Sequence, residues 1–134
     1  MATLKIREVI TGTNTTTDGG TAKTIATFDV STAGPGGTPL LNCSIFITAR
    51  CSGYNSVDNT AAGEWIGGCF KVVNGTLSQV GSTNHAITMI KDTGGAPNSD
   101  LSNALSQIIY FVTGVAGKTI DWFGGMEVFV YQPT

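Results

Sequence analysis

The chain has 134 residues, 12% of them charged, with a net charge of −2 and seven Lys and Arg in total that form no cluster. That length makes one domain able to bury roughly two thirds of its unfolded surface. The charge pattern argues against a nucleic-acid partner, which needs a basic patch. No apolar run reaches the ~18 residues of a membrane-spanning helix, so a membrane partner is not expected.

The opening segment "LKIREVI" alternates Leu4, Ile6 and Ile10 with Lys5 and Arg7. It reads as a strand over 3–10 with charged outer positions, a common protection for a sheet edge. It also suits an anchoring arm (residues 1–15) that pairs with a neighbour, which makes Leu4, Ile6 and Ile10 candidate interface contacts. "MATLKIREVI" has no apolar h-region, so the chain is expected to be used without Sec export. A second strand is expected over 24–30. It is followed by "STAGPGGTP", whose prolines and glycines make a turn-rich loop.

A third strand is expected over 41–50, with Cys43, Ile45, Ile47 and Ala49 on a core face and Ser44, Phe46, Thr48 and Arg50 on the other. "CSGYNSVDNTAAG" then reads as a long polar loop. Strands over 64–73 and 76–81 flank Asn74-Gly75, a strong signal for a two-residue hairpin because both central positions need positive φ. Residues 86–91 follow as another strand, and "KDTGGAPNSD" as a loop. Residues 104–113 form the next strand. Within it "QIIYFVT" is apolar on both faces, so Ile109 and Phe111 are candidate interface residues. Residues 126–131 close the list, with 119–122 as a short lead-in. About eight short strands with turn signals between them predict an all-β domain, a sandwich or barrel.

The chain carries three cysteines. Cys43 and Cys51 fall on one expected strand, eight residues apart, too distant to bridge at ~3.3 Å per residue. Three reduced, partly buried thiols are expected. No Cys/His spacing suggests zinc. His85 is the single histidine, and "STNHAIT" offers it no partner, so it is expected at a surface or strand end. "GPGGT" and "DTGGAP" lack the Lys and the strand-to-helix setting of a phosphate loop. With no acid–base pairing in view, neither an enzyme nor a cofactor is expected, and a hydrolase reading has nothing to stand on. Trp65 and Trp122 are the candidates for glycan stacking, set against a core or interface role.

"TTDGGTAKTIATFDV" (16–30), a strand ending in "TAR" (48–50), "CFKVVNGTLSQVGST" (69–83) and "YFVTGVAGKTIDWFGGMEVFVY" (110–131) come in a recognisable order. This order resembles a β-sandwich domain of tailed-bacteriophage virion proteins, found on head or tail fibres and in small capsid-associated proteins. The matching residues are Thr24-Ile25-Ala26-Thr27, Phe70-Lys71, Gly75-Thr76, Gln79, Gly81, Val112-Thr113-Gly114, Gly117 and Trp122. The chain departs from the pattern at Arg50-Cys51, where paired arginines are common, and at Ile66-Gly67, where basic residues usually stand.

The resemblance implies a single jelly-roll-like antiparallel β-sandwich over residues 1–134, with a structural or adhesive role and no catalytic residues. A chain of one domain from an initiator Met is expected to be a capsid decoration (cement) protein. It would be made in the host bacterial cytoplasm and bound to the major capsid protein on the head surface, with a homotrimer implied by analogy. The alternative is a receptor- or carbohydrate-binding module of a tail or head fibre.

Overall fold

The computed structural model describes residues 3–133; the first two residues and the last one of the expected domain lie outside the described residues. The fold is all-β. Its strands are β1 (Leu4–Thr16), β2 (Lys23–Asp29), β3 (Cys43–Asn55), β4 (Thr60–Val73), β5 (Thr76–Lys91), β6 (Asn98–Ala104), β7 (Gln107–Thr113) and β8 (Ile120–Gln132). They make two antiparallel sheets, a five-stranded one in the order β1-β8-β3-β4-β5 and a three-stranded one in the order β2-β7-β6. β1 pairs with β8 and β2 with β7, so the chain wraps back on itself as a jelly roll does. Of the sandwich and barrel that strand spacing left open, the sandwich, which the resemblance also implied, is the fold found.

Alternation drives the packing. On β3, Cys43, Ile45, Ile47, Ala49 and Cys51 all point inward and are buried. They meet Ile66, Phe70 and Val72 from β4, Met126, Val128 and Val130 from β8, and Ile108, Tyr110 and Val112 from β7. Burying such side chains contributes about 1.5–3 kcal/mol each, which is the main force closing the two layers.

β1 runs on to Thr16 and β4 begins at Thr60, beyond the spans expected for them, and four further boundaries differ from the sequence reading, each for a local reason. β3 runs on to Asn55 inside the stretch read as a loop, because Cys51, Gly53 and Asn55 keep the inward alternation. The buried Asn55 side chain then accepts from the backbone N–H of Val57 (3.0 Å) and of Asp58 (3.3 Å), which turns the chain into β4. The strands expected over 76–81 and 86–91 are one continuous β5. Gly81, at φ 69°, absorbs the break as an irregularity within the strand instead of a turn.

The 119–122 and 126–131 pieces are likewise one β8. Gly124 and Gly125 do not end it. They let neighbouring strands approach, since a Cβ would stand 2.5 Å from the Arg50 carbonyl oxygen and 2.5 Å from that of Ile10, respectively. Finally, Asn98–Ala104, read as loop and strand start, pairs with β7 as β6. Its turn, Leu105-Ser106, carries no Gly or Asn to announce it, and Leu105 takes φ 53°. The Asn74-Gly75 hairpin is as read, with φ of 50° and 83°.

Candidate functional site

One acid, one imidazole and one hydroxyl converge inside the sandwich. Glu64 points inward from β4 with its side chain 2% exposed. Its Oε1 accepts from the Ser99 backbone N–H (3.1 Å) and hydroxyl (2.5 Å) on β6, and its Oε2 lies 2.8 Å from His85 Nδ1 on β5. His85 is therefore neither at a strand end nor without a partner. It sits in the middle of β5 opposite Ile66, and long-range pairing that the local sequence does not encode delivers Glu64 to it.

In a hydrolytic triad the imidazole stands between carboxylate and hydroxyl. Here the carboxylate stands between the other two, and Ser99 is fully buried. The geometry makes charge-assisted hydrogen bonds that tie the two sheets together. The neighbouring Tyr110 Oη is buried beside Ser99 and Cys51, and among the described residues it has no hydrogen-bond partner of normal geometry. Burial pushes the Tyr110 phenol well above its ordinary value and raises the thiols of Cys51 and Cys43 as well.

Two outcomes follow from this burial. Iodoacetamide at neutral pH will modify Cys69, which faces outward on β4, while the buried Cys43 and Cys51 stay protected until the protein unfolds. Mass-mapped labelling at equal rates would contradict this. The raised values also mean that the folded state resists ionising these groups. Their contribution to stability is complete below the ordinary thiol value of 9.0 and is lost as pH rises past it, with the phenol following above 10.0. Urea melts across that range should show the decline, and Tyr110→Phe should lessen its upper part.

Two of the segments that carry the virion-domain resemblance, 16–30 and 110–131, meet at one end of the sandwich. The Trp122 indole N–H donates to Thr16 Oγ1 (2.9 Å), and Thr16 is buried. A Cβ on Gly114 would collide with that same Thr16 side chain. Asp18 accepts from the backbone N–H of Gly20 (2.9 Å) and Thr21 (2.7 Å), closing the turn into β2. Thr16, Asp18, Gly114 and Trp122 therefore form a staple between the first and last strands. This corrects the glycan expectation for Trp122: it is 2% exposed and its ring faces are packed in the core.

The outer face of the five-stranded sheet is different in kind. Register places Arg7, Phe129, Phe46, Cys69 and Val80 in one row across all five strands, beside a second row of Lys5, Tyr131, Ser44, Lys71 and Ser78. Phe46 is 51% exposed and Phe129 42%, large values for aromatic rings at the centre of a sheet. Phe123 and Tyr54 continue the exposed aromatics toward the other end. Arg7 pairs with Glu127 at 2.5 Å. Arg50 lies over the Trp65 ring at 4.9 Å, a cation–π contact. Beside that pair runs a groove of about 610 Å³ lined by Gly63, Ile87, Ile90, Lys91 and Asp92.

Trp65 thus stands on an accessible face, where a stacking residue needs to be. Leu4, Ile6 and Ile10 do not stand on it. They turn inward and pack against the core, and Lys5, Arg7 and Val9 take the outer positions, which corrects the expectation of an anchor built from the three apolar residues. β1 is a sheet edge paired with β8 along its whole length. Ile109 and Phe111 lie half-buried on the outer face of β7 in the other sheet. Sequence reasoning noted the outward Phe46 but not its row, because its neighbours come from other strands, Phe129 lying 83 residues further along the chain.

No family model matches the sequence, and no curated protein matches it. The fold is similar to part of the tailspike protein of Acinetobacter baumannii phage AM24, at a TM-score of 0.49 and 12% identity, over 93% of this chain and 26% of that one. The chain thus spans about a quarter of the tailspike, and a similarity at this level carries no functional argument.

Proposed function

We propose that this chain is a structural protein of a tailed-phage virion, a decoration protein that binds the outside of the head shell. The observation that carries the reading is the exposed aromatic row on the five-stranded sheet, in a chain whose segments resemble virion sandwich domains. An apolar sheet face of this extent is stable in use when a neighbour covers it. On this reading the partner is the major capsid protein, the copies assemble as trimers, and the role involves no catalysis, cofactor, metal or nucleic acid. Quantitative mass spectrometry of purified particles tests it. A copy number in fixed ratio to the shell subunits is the expected result, and trace amounts would refute decoration.

The groove beside Trp65 and Arg50 favours a second reading, a carbohydrate-binding module of a tail or head fibre. Aromatic faces with a neighbouring polar group suit sugar rings. An array of host glycans separates the two readings: specific binding lost in Trp65→Ala supports the second.

A further inference from the structure

Charge is unevenly placed on this molecule. The outer face of the five-stranded sheet, with the groove at its β5 end, holds five of the chain's seven cations, Lys5, Arg7, Arg50, Lys71 and Lys91, and three of its nine acids, Asp92, Asp121 and Glu127. A chain of net charge −2 therefore presents one face of net charge +2. The opposite outer face carries Asp29 and Asp100 around Ile109 and Phe111.

Two copies meeting through their five-stranded faces would set net +2 against net +2, so a partner surface rich in carboxylates suits that face better than a second copy of it. The size of the face bears on what the occupant is. Five strands about 4.8 Å apart, and the run from Lys5 to Thr15 at about 3.4 Å per residue, give roughly 650 Å². Stable protein–protein contacts bury about 800 Å² on each partner. A face of that breadth, with exposed Phe46 and Phe129 on its central strands and Lys5, Arg7 and Lys71 around them, therefore matches a folded protein surface, whereas a sugar chain would occupy a single groove.

We infer that the outer face of the five-stranded sheet docks on a second virion protein whose contact surface sets carboxylates around an apolar patch. Phe46 and Phe129 are the anchors, and Lys5 and Lys71 the charged rim. The inference rests on the virion reading and adds to it the orientation of the domain: three-stranded sheet outward, five-stranded sheet down.

Hydroxyl-radical footprinting of intact particles against the isolated chain is the test, together with rebinding of variants to particles stripped of this protein. Oxidation of Phe46, Phe129 and Tyr131 should fall severalfold on the particle, while Phe111 stays reactive. Lys5→Glu/Lys71→Glu and Phe46→Ser should each weaken rebinding by about tenfold or more, the charge variant most at low salt. Asp100→Asn, on the opposite face, should rebind as the unchanged protein does, and thermal melts confirm that each variant is folded.

Protection of Phe111 in place of Phe46, or unchanged rebinding of both variants, would overturn the docking face and leave the virion reading standing. Absence of the chain from particles would overturn the virion reading and the partner assigned through it. Two further results would overturn a protein partner: binding of polygalacturonate lost in these variants without protection on particles, or an oligomer of the isolated chain that they disperse.

Discussion

Trp122→Ala will lower the stability of the isolated domain by about 3–5 kcal/mol, the range for removing a large buried aromatic. For a domain of this size that is a fall of about 10–20 °C in melting temperature. The indole fills the space between Thr16 and Gly53, where a Cβ on Gly53 would stand 2.6 Å from the ring. It also satisfies the Thr16 hydroxyl, which is left without its donor in the variant. Trp122→Phe keeps most of the volume and loses the N–H, so about 1–2 kcal/mol is expected from the hydrogen bond and the residual cavity. Trp65→Ala should cost much less, because that ring is half-buried on an outer face. A melting temperature for Trp122→Ala within a degree or two of the parent would refute the staple.

Glu64→Ala ranks next. Its carboxylate is the acceptor for both the N–H and the hydroxyl of Ser99, which is fully buried. Leaving a buried polar group unsatisfied costs about 1–3 kcal/mol, so two such groups and a small cavity give about 3 kcal/mol or more. Glu64→Gln retains a carbonyl oxygen for Ser99, and with the other tautomer of His85 its NH₂ meets an acceptor. A loss near 1 kcal/mol is expected for it. His85→Ala should lie within about 1 kcal/mol of the parent, since the imidazole side chain is 32% exposed and water replaces part of its contact. Urea denaturation of the three variants gives the order. Equal stability of Glu64→Ala and the parent would show that the clamp does not hold the sheets.

Local pattern accounts for much of the fold. The hairpin at Asn74-Gly75 and the inward face of β3 follow from side-chain alternation and turn chemistry, and these were legible. What escaped were places where one residue type serves two physical ends. The expected strands stopped at Gly81 and on either side of Gly124-Gly125, yet Gly81 accommodates an irregularity in β5 and the pair accommodates close backbones. The polar strand β6 escaped because only Ser99 and Leu101 face the core, which is too short an alternation to stand out. The inner cluster of Glu64, His85 and Ser99 was illegible for a different reason: its members meet only through sheet pairing and layer packing. The resemblance pointed to Trp122 and Gly114 as characteristic residues, and the geometry gives them a structural reason.

The central claim is that this is a rigid sandwich whose aromatic five-stranded face is covered by a virion neighbour. Electron cryo-microscopy of the particle tests it most directly. The account predicts density for a two-layer β-sandwich at regular positions on the shell, with Phe46 and Phe129 buried in contact with the underlying protein. Density with that face open to solvent, or a shell with no such sandwich on it, would contradict it.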